Sequence, residues 1–184
     1  MLEEIKRVRT EAELLYSEDE VENSIARMAE EIHETLVDRN PILLCVLNGG
    51  IIPTARLMAQ IHFPFNLDSI HASRYHGKTR GEKLVWGHKP TIPLKGRTIL
   101  LVDDVLDEGI TLFEINKFCL AKGAEAVYSA VVVNKKLSED KPFDVDFVGV
   151  ETDNRYLFGY GMDYKGYLRN APGIFACKED NHST

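Results

Sequence analysis

Apolar residues recur along this chain with two periods. Val21, Ile25, Met28, Ala29, Ile32 and Leu36 fall on one face at helical spacing. Ser17 stands three residues before Glu20, the spacing of a capping box, and Asn40-Pro41 stops the pattern, so a helix is predicted between them. Ile42 to Leu47 is a continuous apolar run between breakers, too short for a helix and suited to a buried strand. Asn48-Gly49-Gly50 turns the chain, Pro53 to Ile61 reads as a short helix, and Asn66 to His71 as another strand. Thr98 to Val102 is β-branched and apolar after Gly96, a buried strand closed by Asp103 and Asp104. Leu112, Ile115, Phe118 and Ala121 then form a helical stripe that ends at Lys122-Gly123. Val127 to Val133 and Phe147 to Val150 are the remaining strand candidates.

Strands alternating with helices imply right-handed crossovers and a mainly parallel, twisted sheet with helices on its faces, an α/β fold. Ligands of such sheets gather at the carboxyl ends of the strands. Three loops follow predicted strands at that end: Asn48–Gly50, Asp103–Thr111 and Asn134–Lys136. Between Arg74 and Lys89 the pattern dissolves into a polar, glycine-spaced segment, either an exposed hairpin or a mobile loop. Gly77-Lys78-Thr79 within it is no Walker A loop, because Ala72 stands where the upstream glycine is required.

The segment Asp103 to Thr111 carries the most chemistry. Asp103 and Asp104 end a strand, Asp107 opens a short loop with Glu108, Gly109, Ile110 and Thr111, and a helix follows. Backbone N–H groups at a helix N-terminus favour an anion such as phosphate. Acids beside that loop would repel the anion unless a cation or sugar hydroxyls lie between. The arrangement suits a phosphorylated sugar with a divalent metal.

Composition narrows the classes. The 184 residues form one domain with a substantial core, at 44% hydrophobic and 28% charged residues. A net charge of -7 argues against nucleic acid as the main partner. The three scattered cysteines offer neither a disulfide framework nor metal-ligand spacing. No apolar run approaches membrane-spanning length and the N-terminus has no signal-like apolar region, so a cytoplasmic protein with no membrane partner is expected.

The segment Thr98 to Thr111 resembles the phosphoribosyl pyrophosphate motif of the type I phosphoribosyltransferases, and the rest of the chain resembles the hypoxanthine-guanine enzymes of purine salvage among them. The resemblance covers roughly residues 40 to 176. It implies the type I phosphoribosyltransferase fold in a single domain spanning 1–184, with a core of about 40–150 and a small hood from about 1–38 and 151–184. It assigns the 5′-phosphate and ribose to Asp103, Asp104, Asp107, Glu108, Gly109, Ile110 and Thr111, and pyrophosphate to Asn48, Gly49, Gly50 and Arg169. Lys135 would meet the exocyclic oxygen of the purine, Tyr156 would stack on its ring, and main-chain groups near Leu157 would read its edge. Asp163 would hold Mg2+, Asp107 would be the general base, and Tyr75 would belong to a lid that excludes water.

Read from local pattern alone, Asp163 is equally a turn cap, Tyr156 a core aromatic, and Lys135 one of a solvated pair with Lys136. Three positions depart from the family: Asn48 replaces Lys or Arg, Arg74 replaces the Ser before the lid tyrosine, and Glu108 replaces Thr. The implied reaction is Mg2+-dependent transfer of phosphoribosyl from phosphoribosyl pyrophosphate to hypoxanthine or guanine, by a homodimer or homotetramer. A xanthine-preferring enzyme, or a regulatory protein of the same fold that binds phosphoribosyl pyrophosphate, is the alternative.

Overall fold

The structure, a computed structural model, describes residues 1–74, 84–138 and 140–178. In chain order the elements are α1 (Leu2–Glu11), β1 (Glu13–Ser17), α2 (Glu18–Leu36), β2 (Ile42–Leu47), α3 (Ile51–Met58), β3 (Asn66–Arg74) and β4 (Leu84–His88). They continue with β5 (Thr98–Leu106), α4 (Ile110–Ala121), β6 (Ala126–Lys136), β7 (Phe147–Asp153), β8 (Leu157–Phe158) and β9 (Gly173–Ala176). Six strands make the main sheet in the order β4-β3-β2-β5-β6-β7. Its pairs are parallel except β3–β4, which is antiparallel. A second sheet, β1-β9-β8, brings the two ends of the chain together.

Both faces of the main sheet are covered, which explains why its strands are continuous apolar runs. Successive side chains alternate between faces. Leu43, Leu100, Val102, Ala130 and Val132 meet Ile25, Met28 and Ile32 of α2 and Leu57 of α3. Ile42, Leu44, Ile99, Leu101 and Val131 meet Leu112, Ile115 and Cys119 of α4 on the other side. The capping box of α2 forms as its spacing predicts: Ser17 N–H donates to Glu20 Oε2 at 2.8 Å, and Glu20 N–H returns to Ser17 Oγ at 3.4 Å. All six residues of the predicted stripe, from Val21 to Leu36, are buried.

Four strands run further than the apolar pattern suggests: β3 to Arg74, β7 to Asp153, and, with more bearing on the site, β5 and β6. Asp103 and Asp104 do not close β5; they lie inside it, because the ladder continues through Asp103↔Val131 and Val105↔Val133 to Leu106↔Asn134. For the same reason Asn134–Lys136 is the end of β6 and not a loop, paired onward to β7 through Lys135↔Thr152. Pairing on both sides keeps polar residues in a strand. α1 and β1 carry weak local signals: α1 buries only Ile5 and Val8, and β1 owes its form to β9.

Replacing Ser17 by Ala removes one half of the capping box. Urea unfolding should show a loss of about 1 kcal/mol. A loss below a few tenths would mean the packed face of α2 alone fixes where the helix begins.

Candidate active site

A cavity of about 410 Å³ opens at the carboxyl ends of β2, β5 and β6, roofed by the segment after β7. Asp103, Asp104, Asp107, Glu108, Gly109 and Thr111 line it from β5 and the loop to α4. Gly49, Lys135, Tyr156, Leu157, Asp163 and Arg169 complete it, with Val46, Ala72 and Met162 as apolar wall. Residues more than a hundred positions apart in sequence thus share one space. Asn48, Gly50 and Ile110 are not in its lining. Tyr75 lies outside the described residues, as does the rest of the expected lid up to Lys83.

The loop 107–111 is built to approach an anion. Gly109 takes φ +79°, the left-handed region that a side chain resists, and stands as the N-cap of α4. The helix then starts at Ile110, so the amides of Ile110 and Thr111 belong to its first turn, where the dipole favours negative charge.

Lys135 is 9% exposed, and burying an ammonium requires a partner. Its Nζ donates to Asp107 Oδ2 at 2.9 Å, a pair that spans from β6 to the anion loop. Lys136 instead points to Glu151 at 2.8 Å on an exposed face. The register of β6 therefore separates the two lysines, and it is Lys135 that enters the cavity.

Asp103 and Asp104 are both buried, and their backbones brace them: Asp104 N–H donates to Asp103 Oδ1 at 2.9 Å, and Val105 N–H to Asp104 Oδ1 at 2.8 Å. Burial pushes the Asp103 carboxyl well above its ordinary range, and the charge of Asp104 adds to this. Burial raises Asp104 as well, against the pull of Arg169. Two carboxyls held out of water beside this loop can accept hydrogen bonds from hydroxyl donors.

Arg169 ties the roof together. Its Nη2 pairs with Asp163 Oδ1 at 2.6 Å, its Nη1 donates to the Gly161 carbonyl at 2.6 Å, and Asp104 Oδ2 lies 3.9 Å away. Asp163 Oδ2 also accepts from Gly166 N–H at 2.6 Å, so the carboxylate caps its own turn as well as facing the cavity. Among the described residues no group of three or more His, Cys, Asp or Glu could hold a metal ion. One cavity carboxylate fits a hard cation that takes its remaining ligands from water and diphosphate oxygens.

Two glycines set how closely these parts approach. A Cβ on Gly161, which has φ +105°, would run into the carbonyl oxygen of Gly49. The roof and the 48–50 loop therefore meet backbone to backbone. Gly50 corrects the expectation that its amide faces pyrophosphate: its N–H donates to Val46 O at 2.8 Å, and a Cβ there would strike Val102 O and Val46 O. It is required for packing against β5. Asn48, joined to Leu47 by a cis peptide, borders a neighbouring cavity together with Arg169.

Tyr156 is 41% exposed and is held edge-on by Tyr164, with ring centroids 5.6 Å apart at 71°. It is thus not the core aromatic that its sequence context suggests. Tyr164 is buried, and its hydroxyl donates to Glu4 of α1 at 3.0 Å. Tyr164, Gly161, Met162 and Lys141 were not singled out from sequence, since each acts through contacts that no local spacing encodes.

The profile of the phosphoribosyl transferase domain family matches residues 12–165. This chain belongs to that family, and the resemblance read from its motifs is thereby confirmed. A hypoxanthine-guanine-xanthine phosphoribosyltransferase of Tritrichomonas foetus is 29% identical to it, over 97% of this chain and 95% of the relative. A hypoxanthine-guanine phosphoribosyltransferase of Streptococcus pneumoniae is 30% identical, over 92% and 95%. Among solved structures, a hypoxanthine-guanine-xanthine phosphoribosyltransferase aligns with a TM-score of 0.81 at 27% identity, covering 91% of this chain and 97% of that one. A hypoxanthine phosphoribosyltransferase from Staphylococcus aureus aligns at 0.89 with 20% identity, over 96% and 97%, which supports the fold.

The buried carboxyl pair generates a pH-dependent prediction. An unfolded chain releases the Asp103 proton near pH ~3.9, and the folded protein releases it at higher pH. Between those values the unfolded state binds fewer protons, so stability falls as pH rises. Asp103→Asn removes that penalty and keeps an Oδ1 acceptor for Asp104 N–H. The ligand-free variant should melt above the parent near neutral pH, with each kcal/mol relieved worth about 2–4 °C, and the gain should shrink toward about pH 4. A lower melting point at neutral pH would show that the ionised carboxylate stabilises the fold.

Proposed function

We propose that this protein transfers the 5-phosphoribosyl group from phosphoribosyl pyrophosphate to hypoxanthine or guanine, releasing pyrophosphate and forming IMP or GMP. The observation that carries this reading is the Lys135–Asp107 pair, set between the anion loop and Tyr156 in one cavity. Lys135 is a fixed donor, and 6-oxopurines present an acceptor where adenine presents a donor. Adenine would set its own amino donor against the Lys135 ammonium, and a buried donor without an acceptor costs about 1–3 kcal/mol, so adenine is disfavoured. The name of the relative from T. foetus adds xanthine to the bases to be tested.

In this reading the amides of 108–111 receive the 5′-phosphate, while Asp103 and Asp104 accept from the ribose hydroxyls. The Gly49 backbone and Arg169 face the pyrophosphate, and Tyr156 and Leu157 hold the purine. N9 of the purine bonds to C1 of the ribose as the C1–O bond breaks, and the electron pair leaves with pyrophosphate. The imidazole proton passes to Asp107. Positive charge developing on the ribose faces the carboxyls of Asp103 and Asp104. Bound Mg2+, with Asp163 among its ligands, would neutralise charge on the leaving group.

Arg169 takes over the role of the cation absent at Asn48, since it borders both cavities. The second sheet and α1 form the hood over a single domain. We further infer a cytoplasmic homodimer or homotetramer, in keeping with the family; no helix among the described residues is long and apolar enough to cross a membrane.

Pyrophosphate release should be measured with phosphoribosyl pyrophosphate, Mg2+ and each of hypoxanthine, guanine, xanthine, adenine and uracil. Turnover is expected with the 6-oxopurines and should stop when EDTA removes the cation. Binding of phosphoribosyl pyrophosphate without turnover on any base would point to a regulatory protein. Asp107→Asn should lower kcat about 10²-fold or more while phosphoribosyl pyrophosphate still binds; equal loss of both would make Asp107 a ligand. Lys135→Ala should cost 6-oxopurine kcat/KM about 10²-fold, and unchanged guanine kinetics would remove Lys135 from the base site.

A further inference from the structure

Lys141 leaves the loop between β6 and β7 and turns back under the end of the sheet. Its Nζ donates to the Leu106 carbonyl at 2.9 Å and to Asn134 Oδ1 at 2.7 Å. Leu106 and Asn134 are partners in the β5–β6 ladder, the last pair before the strands part. The next residue on each side is Asp107 or Lys135, the ion pair of the cavity. Lys141 therefore bridges the same two strand ends one residue below that pair.

Two further observations concern where this lysine sits. Its Cβ is 3.7 Å from the point where a Cβ of Gly109 would stand, and the Cβ of Phe143 is 3.6 Å from it. The 141–143 segment is thus the floor of the anion loop. Both hydrogen-bond partners of the ammonium are neutral oxygens, so its charge is not cancelled at contact. Burial opposes that charge, while Asp107 and Glu151 favour it and Lys135 opposes it. Joining two neutral oxygens does not by itself require an ammonium.

We propose that Lys141 is a positioning residue for phosphoribosyl transfer, locking the ends of β5 and β6 so that Asp107 and Lys135 keep their spacing beneath the purine. This rests on the reaction assigned above. The ammonium spans two acceptors that an apolar side chain cannot join, while the Cβ atoms of Lys141 and Phe143 lie against Gly109 of the anion loop. Arginine has the reach and the donors to keep both bonds; methionine fills the volume and keeps neither.

The test is a double-mutant cycle read by kcat and KM with hypoxanthine, on the full-length protein with Mg2+. Lys141→Met should lower kcat about tenfold with KM for hypoxanthine changed less than twofold, and Lys141→Arg should recover most of the rate. In an Asp107→Asn background, Lys141→Met should cost clearly less than the tenfold it costs the parent, because part of its effect runs through that carboxylate. Multiplicative losses in the cycle, no rescue by Arg, or a Met variant as active as the parent would each overturn the proposal. If Lys141→Met unfolds, the Arg variant decides: a parent-like kcat supports the positioning role, and a tenfold loss in a protein of parental melting temperature removes it. A parent protein inactive on every base would instead sink the assigned reaction, a separate outcome.

Discussion

Leu106 lies opposite Asn134 in the parallel pairing of β5 with β6, and that register decides which side chains meet one residue further on. A slip of a single residue would turn Lys135 to the other face of the sheet and bring Lys136 inward. The buried runs Thr98–Val102 and Ala130–Val133 hold the register, because each of their side chains already has an assigned face in the core. Charge in the cavity is placed by packing far below it. The Asp103 and Asp104 carboxyls depend on the same ladder, since both sit within β5 and take their bracing from its backbone.

Two pairs of opposite charges in the cavity hold each other. Lys135 holds Asp107, and Arg169 holds Asp163. Each pair joins a group assigned to one part of the substrates with a group assigned to another. In the proposed reaction a ligand that takes one partner would release the other, so exchange of partners would replace desolvation of isolated ions, which is far more costly. Among the described residues Asp103 and Asp104 have no such close cationic partner, with Arg169 3.9 Å from Asp104, and burial drives both toward the protonated form.

Much of this was legible in the sequence. The strand-loop-helix signature at residues 98–111 carries its own chemistry, because an apolar strand, a run of acids and a helix start are all local. The capping box of α2 is local too. Where β5 and β6 end was not legible, since Asp103 and Lys135 are kept in strands by neighbours distant in sequence. Asp163 could not be told from a turn cap because it is one, through Gly166 N–H, while also facing the cavity. Gly50 looks like a phosphate-loop glycine, and only the proximity of β5 shows why it must lack a side chain. α1 escaped notice because its anchoring to Tyr164 through Glu4 joins opposite ends of the chain.

The contact of Gly161 with Gly49 divides the cavity into two kinds of wall. On the side proposed for the diphosphate, the Gly161–Gly49 contact is main chain against main chain, with Arg169 the side chain beside it. At the end proposed for the purine the boundary is Lys135, Tyr156, Leu157 and Met162, all replaceable one at a time. The names of the two relatives differ in the bases they include and agree on the phosphoribosyl group. In the proposed assignment, single side-chain changes would alter the purine wall, while the Gly161–Gly49 contact is set by the path of the backbone.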